Sequence, residues 1–326
     1  MKHLMKTISI ILTLSIFLGL TACGGSGGSS ISDADVTDNP GYESLLITYD
    51  ENFTPWENSD TDLVTPYLNS ECECTCYRFG ARVTSLYAFL ENNRGNKYGL
   101  GAFGKSSMSF VDCEDYLEGA WGITDRDGAK ATVEKMLTQG HQAKCRAYIQ
   151  KDDATIRLME AIKAEYEDSF SFAQIDAIDK DFFKKNEIPT NDLYKVKAAA
   201  CAGILFGENA LAGYDYMRML RVIAFSEDSR FLSTPEYLEY VYNITCALQK
   251  QYKSFEEIHQ CYYLGEMFRS AKADDTESLS DLEEILEAMS EMKSDGFYAE
   301  IEAEYGMSIE KDWDDILITR KELRER

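Results

Sequence analysis

Between Pro66 and Pro189 the chain contains no proline. Proline removes an amide donor and clashes with the preceding helical turn, so a long stretch without it leaves helices free to form. The apolar residues there recur at helical spacing: Ala81, Leu86, Phe89 and Leu90 within 77–92, then Ile156, Met159, Ile162 and Tyr166 within 152–167. Thr124, with Asp127 three residues on, is predicted to cap a helix that Gly140 stops. Ser171 is predicted to start another, bearing Ile175, Ile178, Phe182 and Phe183. After Pro189, residues 196–206 contain Ala198-Ala199-Ala200-Cys201-Ala202-Gly203, small side chains that suit a central helix approached closely by its neighbours. Residues 210–225 are apolar nearly all round and predict burial. Thr234-Pro235-Glu236 marks a helix start, and Ser254 with Glu257 another. Ser280 is predicted to open an amphipathic helix through Leu282, Ile285, Leu286, Met289 and Met292, ended by Gly296. No segment sustains a period of two. The predicted fold class is all-α, a multi-helix globular domain with an irregular N-terminal extension. Three of the five prolines fall within residues 31–75, leaving room for one small hairpin in 45–75.

The first residues carry a separate signal. Lys2, His3 and Lys6 precede an apolar run from Ile8 to Leu20, broken only by Ser, Thr and one Gly. A basic start and a short apolar run are the layout of an export signal, and a membrane span would need about 20 apolar residues. The run closes on Leu20-Thr21-Ala22-Cys23, which resembles the bacterial lipobox, in which the Cys receives diacylglycerol before cleavage. The Gly24-Gly25-Ser26-Gly27-Gly28-Ser29-Ser30 stretch that follows has the composition of a flexible tether. The expectation is an extracytoplasmic lipoprotein held by membrane lipid through Cys23. Acyl chains contribute about 0.8 kcal/mol per buried CH2, so such an anchor needs no help from the protein surface.

Charge narrows the partners. The chain has 33 basic and 57 acidic side chains. Loss of Lys2 and Lys6 with the signal takes the net charge from −24 to −26. Nucleic-acid affinity comes chiefly from cations placed on phosphates, so nucleic acid is not an expected partner, and neither is an anionic headgroup surface. An acidic surface keeps an exported protein soluble; an envelope or surface protein is the remaining macromolecular partner. Hydrophobic residues make up 44% of the chain, enough for a sizeable core rather than a disordered chain.

Eight cysteines follow Cys23: Cys72, Cys74, Cys76, Cys113, Cys145, Cys201, Cys246 and Cys261. An export context permits disulfides, but 105 pairings of eight thiols are open. Zinc ligands usually come as CxxC pairs or with His. The alternating Cys72-Glu73-Cys74-Thr75-Cys76 leaves open a bridge to Cys113 or Cys145 or a soft metal, but with only His141 and His259 left in the mature chain it does not fit that spacing. No metal and no cofactor is expected. Asp125-Arg126-Asp127-Gly128 with Glu134 matches a calcium loop from its third position onward, but the first ligand position falls on Ile123, which cannot coordinate.

Trp121-Gly122-Ile123-Thr124-Asp125-Arg126, Gly140-His141, Tyr214-Asp215-Tyr216-Met217-Arg218, Ser254-Phe255-Glu256-Glu257 and Tyr263-Leu264-Gly265 occur in that order. In order and spacing they resemble the bacterial domain-of-unknown-function family numbered 1266, over about residues 77–271. Tyr214 and Phe255 stand where the family usually has Trp. The resemblance implies a domain and brings no activity with it. The layout is then a signal at 1–22, a tether at 23–40, an irregular extension at 41–76, the helical domain at 77–271 and a helical C-terminal extension at 272–326.

The polar residues of these motifs are the candidate site. Asp215 and Arg218 stand three apart on an apolar helix and so share a face. If they meet His141, the result is a carboxylate beside an imidazole with a guanidinium able to grip an anion, the minimum for general acid–base work. His141, Asp215 and Arg218 are the catalytic candidates, and Asp125, Arg126 and Tyr263 the binding candidates. The competing reading is architectural: Asp215 and Arg218 clamp helices, Asp125 stabilises a helix N-terminus, and His141 bonds terminal carbonyls. Three functions stay open: a tethered helical interaction module, a hydrolase using the His/Asp/Arg set, and a solute-binding lipoprotein, whose usual strand-rich architecture the sequence lacks.

Overall fold

In the computed structural model, residues 31–54, 60–66, 72–91, 110–272 and 275–326 are described. The export signal, Cys23 and the Gly/Ser stretch lie outside them. Thirteen α-helices account for most of these residues. In chain order they are α1 (Thr75–Leu90), α2 (Phe110–Trp121), α3 (Arg126–Gln139), α4 (His141–Lys151), α5 (Asp153–Tyr166), α6 (Lys180–Lys185) and α7 (Leu193–Phe206). Then follow α8 (Ala212–Asp228), α9 (Thr234–Gln251), α10 (Phe255–Ser270), α11 (Thr276–Ser294), α12 (Phe297–Tyr305) and α13 (Arg320–Glu325). The fold is all-α, as the periodicity requires. No described helix is long and apolar enough to cross a membrane.

Helices α8 and α10 form the centre. From Ala212 to Ser226 every residue of α8 except Arg218 is buried, and α10 packs on both α7 and α8. The small-residue helix α7 is buried from Val196 to Ala202 and lies against α5 and α10. A Cβ on Gly203 would stand 3.1 Å from Ile149 and 3.2 Å from Met159, which is why the helices approach closely there. Helices α2, α3 and α9 cover α8, while α1 packs on α9, α11 and α12. Packing at Gly265 is tighter: a Cβ would fall 2.0 Å from the ring of Tyr214.

Several helix starts differ from expectation. Asp125, not Thr124, is the N-cap of α3, accepting from the Gly128 amide at 2.8 Å. Gly140 ends α3 but also begins α4, so His141 opens a new helix instead of sitting behind a finished one. Helix α11 starts one turn before Ser280, capped by Asp275, because Ser278 is buried and belongs to its packed face. Gly296 has φ +75° and is the left-handed entry to α12. Past Ser171 the chain forms a 3-10 turn over Phe172–Ala177 before α6.

The expected local hairpin in 45–75 is also corrected. Strand β1 (Leu63–Val64) pairs antiparallel with β2 (Ile318–Thr319) near the C-terminus. Asp62 holds the two ends together, receiving Arg230 and Arg320, and its carbonyl accepts from the Arg320 amide at 2.9 Å. The two extensions outside the motif-bearing helices therefore close on each other.

Candidate functional site

Asp215 lies in the first turn of α8 and faces the first turn of α4. Its Oδ2 accepts from the Gln142 backbone amide at 2.7 Å. One carboxylate thus serves the positive ends of two helices, where anionic charge is favoured. A Cβ at residue 140 would come within 2.3 Å of that Oδ2 and 2.6 Å of the Met136 carbonyl. Gly140 is there for space, not for its φ of −64°.

The structure brings His141, Asp215 and Arg218 together. Nδ1 of His141 is 3.3 Å from Asp215 Oδ1 and 3.1 Å from Arg218 Nη1, and the Arg218–Asp215 pair closes at 4.0 Å. Burial holds the His141 ring below its ordinary range; contact with Asp215 opposes this and Arg218 adds to it. Nδ1 faces both neighbours, so one tautomer accepts there from Arg218 and the other donates to Asp215. Asp215 Oδ1 is buried and has no hydrogen-bond partner at bonding geometry among the described residues. The Arg218 guanidinium lies over the rings of Trp121, at 4.6 Å, and Tyr214, at 4.9 Å. His141 meets Tyr214 edge-on at 5.3 Å. The Tyr214 hydroxyl donates to Glu266, which also takes Arg269 at 2.7 Å. Burial would raise the Glu266 carboxyl, but Arg269 and Arg218 outweigh it and hold it lowered.

Only a fifth of the His141 side chain reaches solvent; Arg218 shows 11% and Asp215 2%. The group has the parts for acid–base or anion chemistry, yet most polar atoms in it already have partners.

The other candidates engage elsewhere. Asp125 caps α3. Arg126 forms a two-pronged pair with Glu236, Nη1 at 2.8 Å and Nη2 at 2.6 Å, and bonds the Phe231 and Asp50 carbonyls. Tyr263 is buried edge-on against Phe172. Glu236 also accepts from the Ser233 and Asp50 amides at 2.8 Å. In the sequence Glu236 marked only a helix start, and Glu266 and Arg269 carried no signal at all. The second histidine, His259, is fully buried; its ring donates from Nε2 to the Val83 carbonyl and accepts the Tyr298 hydroxyl at Nδ1.

A family model described as a protein of unknown function, DUF1266, matches residues 116–301, more than half of the chain. The chain belongs to the DUF1266 family. The DUF1266 region runs from within α2 into α12 and contains the whole His141–Asp215–Arg218 group. It leaves α1 and the β1–β2 closure outside. No curated protein and no solved structure matches the chain.

Proposed function

We propose that the chain is a lipoprotein anchored through Cys23 on the extracytoplasmic face of the membrane, and that its DUF1266 domain is a non-enzymatic helical module that binds another envelope or surface protein. The Leu20-Thr21-Ala22-Cys23 pattern and the Gly/Ser stretch support the anchor. One observation favours a module over an enzyme: Asp215, the residue at the centre of the motif cluster, uses Oδ2 to cap α4 while Arg218 is sandwiched by Trp121 and Tyr214. The group then works as a joint between α3, α4 and α8. The test is intact mass of the chain recovered from membranes, with cross-linking in whole cells. Diacylglyceryl-modified Cys23 at the N-terminus and a specific cross-linked partner are expected. An unprocessed, lipid-free N-terminus on chain recovered from the cytosol contradicts the reading.

A hydrolytic activity is the second reading, favoured by the partial exposure of His141 next to Asp215. It predicts turnover on ester or phosphoester substrates that His141→Ala abolishes while the fold and any partner binding persist. Turnover unchanged in His141→Ala, or none in the parent, ends it.

A further inference from the structure

Helix α1 begins within the Cys72-Glu73-Cys74-Thr75-Cys76 run: Cys74 is its N-cap and Cys76 lies in its first turn. The Sγ atoms of Cys74 and Cys76 are 3.2 Å apart. The Cys72 side chain is buried beside Cys74, two residues away. Asp312 reaches the same corner from the C-terminal extension, where its Oδ2 accepts from the Thr75 amide at 2.8 Å. One oxygen of this carboxylate and the two sulfurs lie within 4.8 Å of one another. Asp312 Oδ1 is buried and has no hydrogen-bond partner among the described residues. Capping of α1 explains Oδ2 and leaves Oδ1 unexplained. Apolar packing would explain one buried thiol, but not two gathered within 4.8 Å of a carboxylate oxygen. The corner is also rigid: the Glu310 amide donates to Thr75 Oγ1 at 3.0 Å, and Trp313 is buried against Tyr242.

We infer that Cys74, Cys76 and Asp312 form a structural site for a thiophilic divalent cation, zinc being the chemical type, with the buried Cys72 close enough in sequence to complete it once the ion binds. Three sulfurs and one oxygen are an acceptable tetrahedral set. The thiols lose their protons to solvent as the cation binds, and the N-terminal end of α1 favours the resulting thiolates. Sequence spacing argued against a metal because the cysteines alternate instead of forming CxxC pairs; the oxygen ligand, 237 residues after Thr75, had no local mark. The ion would fasten the C-terminal extension to α1, outside the DUF1266 region.

The full chain, isolated without added reductant, is analysed by native mass spectrometry and then titrated with zinc and with cobalt(II). One metal per chain is expected, and cobalt should give thiolate charge-transfer absorption with a tetrahedral visible band. Cys74→Ser combined with Cys76→Ser should abolish binding, Asp312→Asn should weaken it about 100-fold, and Cys72→Ser should remove one thiolate's share of the absorption. Zinc removal should speed amide exchange in residues 306–326 and leave 116–301 unchanged, a readout independent of whether a variant folds. A chain lighter by two hydrogens, with Cys74 and Cys76 joined and no metal taken up, overturns the site. So does zinc bound equally by the double variant.

Discussion

Two polar clusters in this molecule each hold an aspartate with one buried, unpartnered oxygen, and they differ in the charge that surrounds it. At the joint of α3, α4 and α8, His141, Asp215 and Arg218 sit among Trp121, Tyr214 and a cap on α4, and the charges balance within the chain. At the start of α1, Cys74, Cys76 and Asp312 collect, and Asp312 has no ion pair among the described residues. Buried charge persists only when paired and hydrogen-bonded. In the first cluster Arg218 supplies the counter-charge to Asp215, whereas in the second the proposed ion would supply it. An unpartnered carboxylate oxygen therefore does not by itself separate architecture from site; the charge around it does.

The sharpest way to break the comparison is to open a closed cluster. Glu236→Ala strips the two-pronged partner from Arg126 and acceptors from the Ser233 and Asp50 amides. We expect a loss of about 3–5 kcal/mol in urea unfolding, the cost of leaving a buried charge alone. Next comes pH. Burial holds His259 down to about 4, outweighing the Val83 carbonyl. An unfolded His titrates near 6.5, so the unfolded chain binds the extra proton and stability falls as pH drops from about 6.5 to about 4. The full effect is about 3 kcal/mol, and His259→Gln should flatten that part of the stability–pH curve. His141 shifts in the same direction, so a residual slope remains.

A smaller effect tests packing around the joint itself. Gly140→Ala drives a Cβ toward Asp215 Oδ2 and the Met136 carbonyl, with an expected cost of about 1–3 kcal/mol by thermal or urea unfolding. At the low end, Lys185→Ala removes an exposed pair with Glu165, the two side chains being 61% and 47% exposed. A change under about 1 kcal/mol is expected there, which sets the baseline against which the buried clusters are judged.

Much of the fold was legible in the sequence because amphipathic spacing and caps are local. Ser254 and Asp152 announce their helices, and the small residues of 198–203 announce a close-packed one. The caps expected at Thr124 and Ser280 fall instead on Asp125 and Asp275, whose carboxylates accept from the first-turn amides. The β1–β2 pair was invisible because each strand has two residues and its partner is at the other end of the chain. In the candidate site, the i,i+3 spacing joined Asp215 to Arg218, while His141 reached them only through the tight turn at Gly140. Asp125 and Arg126 are neighbours in sequence and point to different work, one to a helix amide and the other to Glu236. Asp312 had no local mark at all.

The claim that the motif cluster is a joint is tested most directly by urea unfolding of Asp215→Ala. Removing this carboxylate uncaps α4 and leaves Arg218 buried without its anion, so a loss of about 3–5 kcal/mol is expected. Stability within about 0.5 kcal/mol of the parent, or above it, would contradict the account, since a buried charge that costs nothing to remove is kept for something other than the fold.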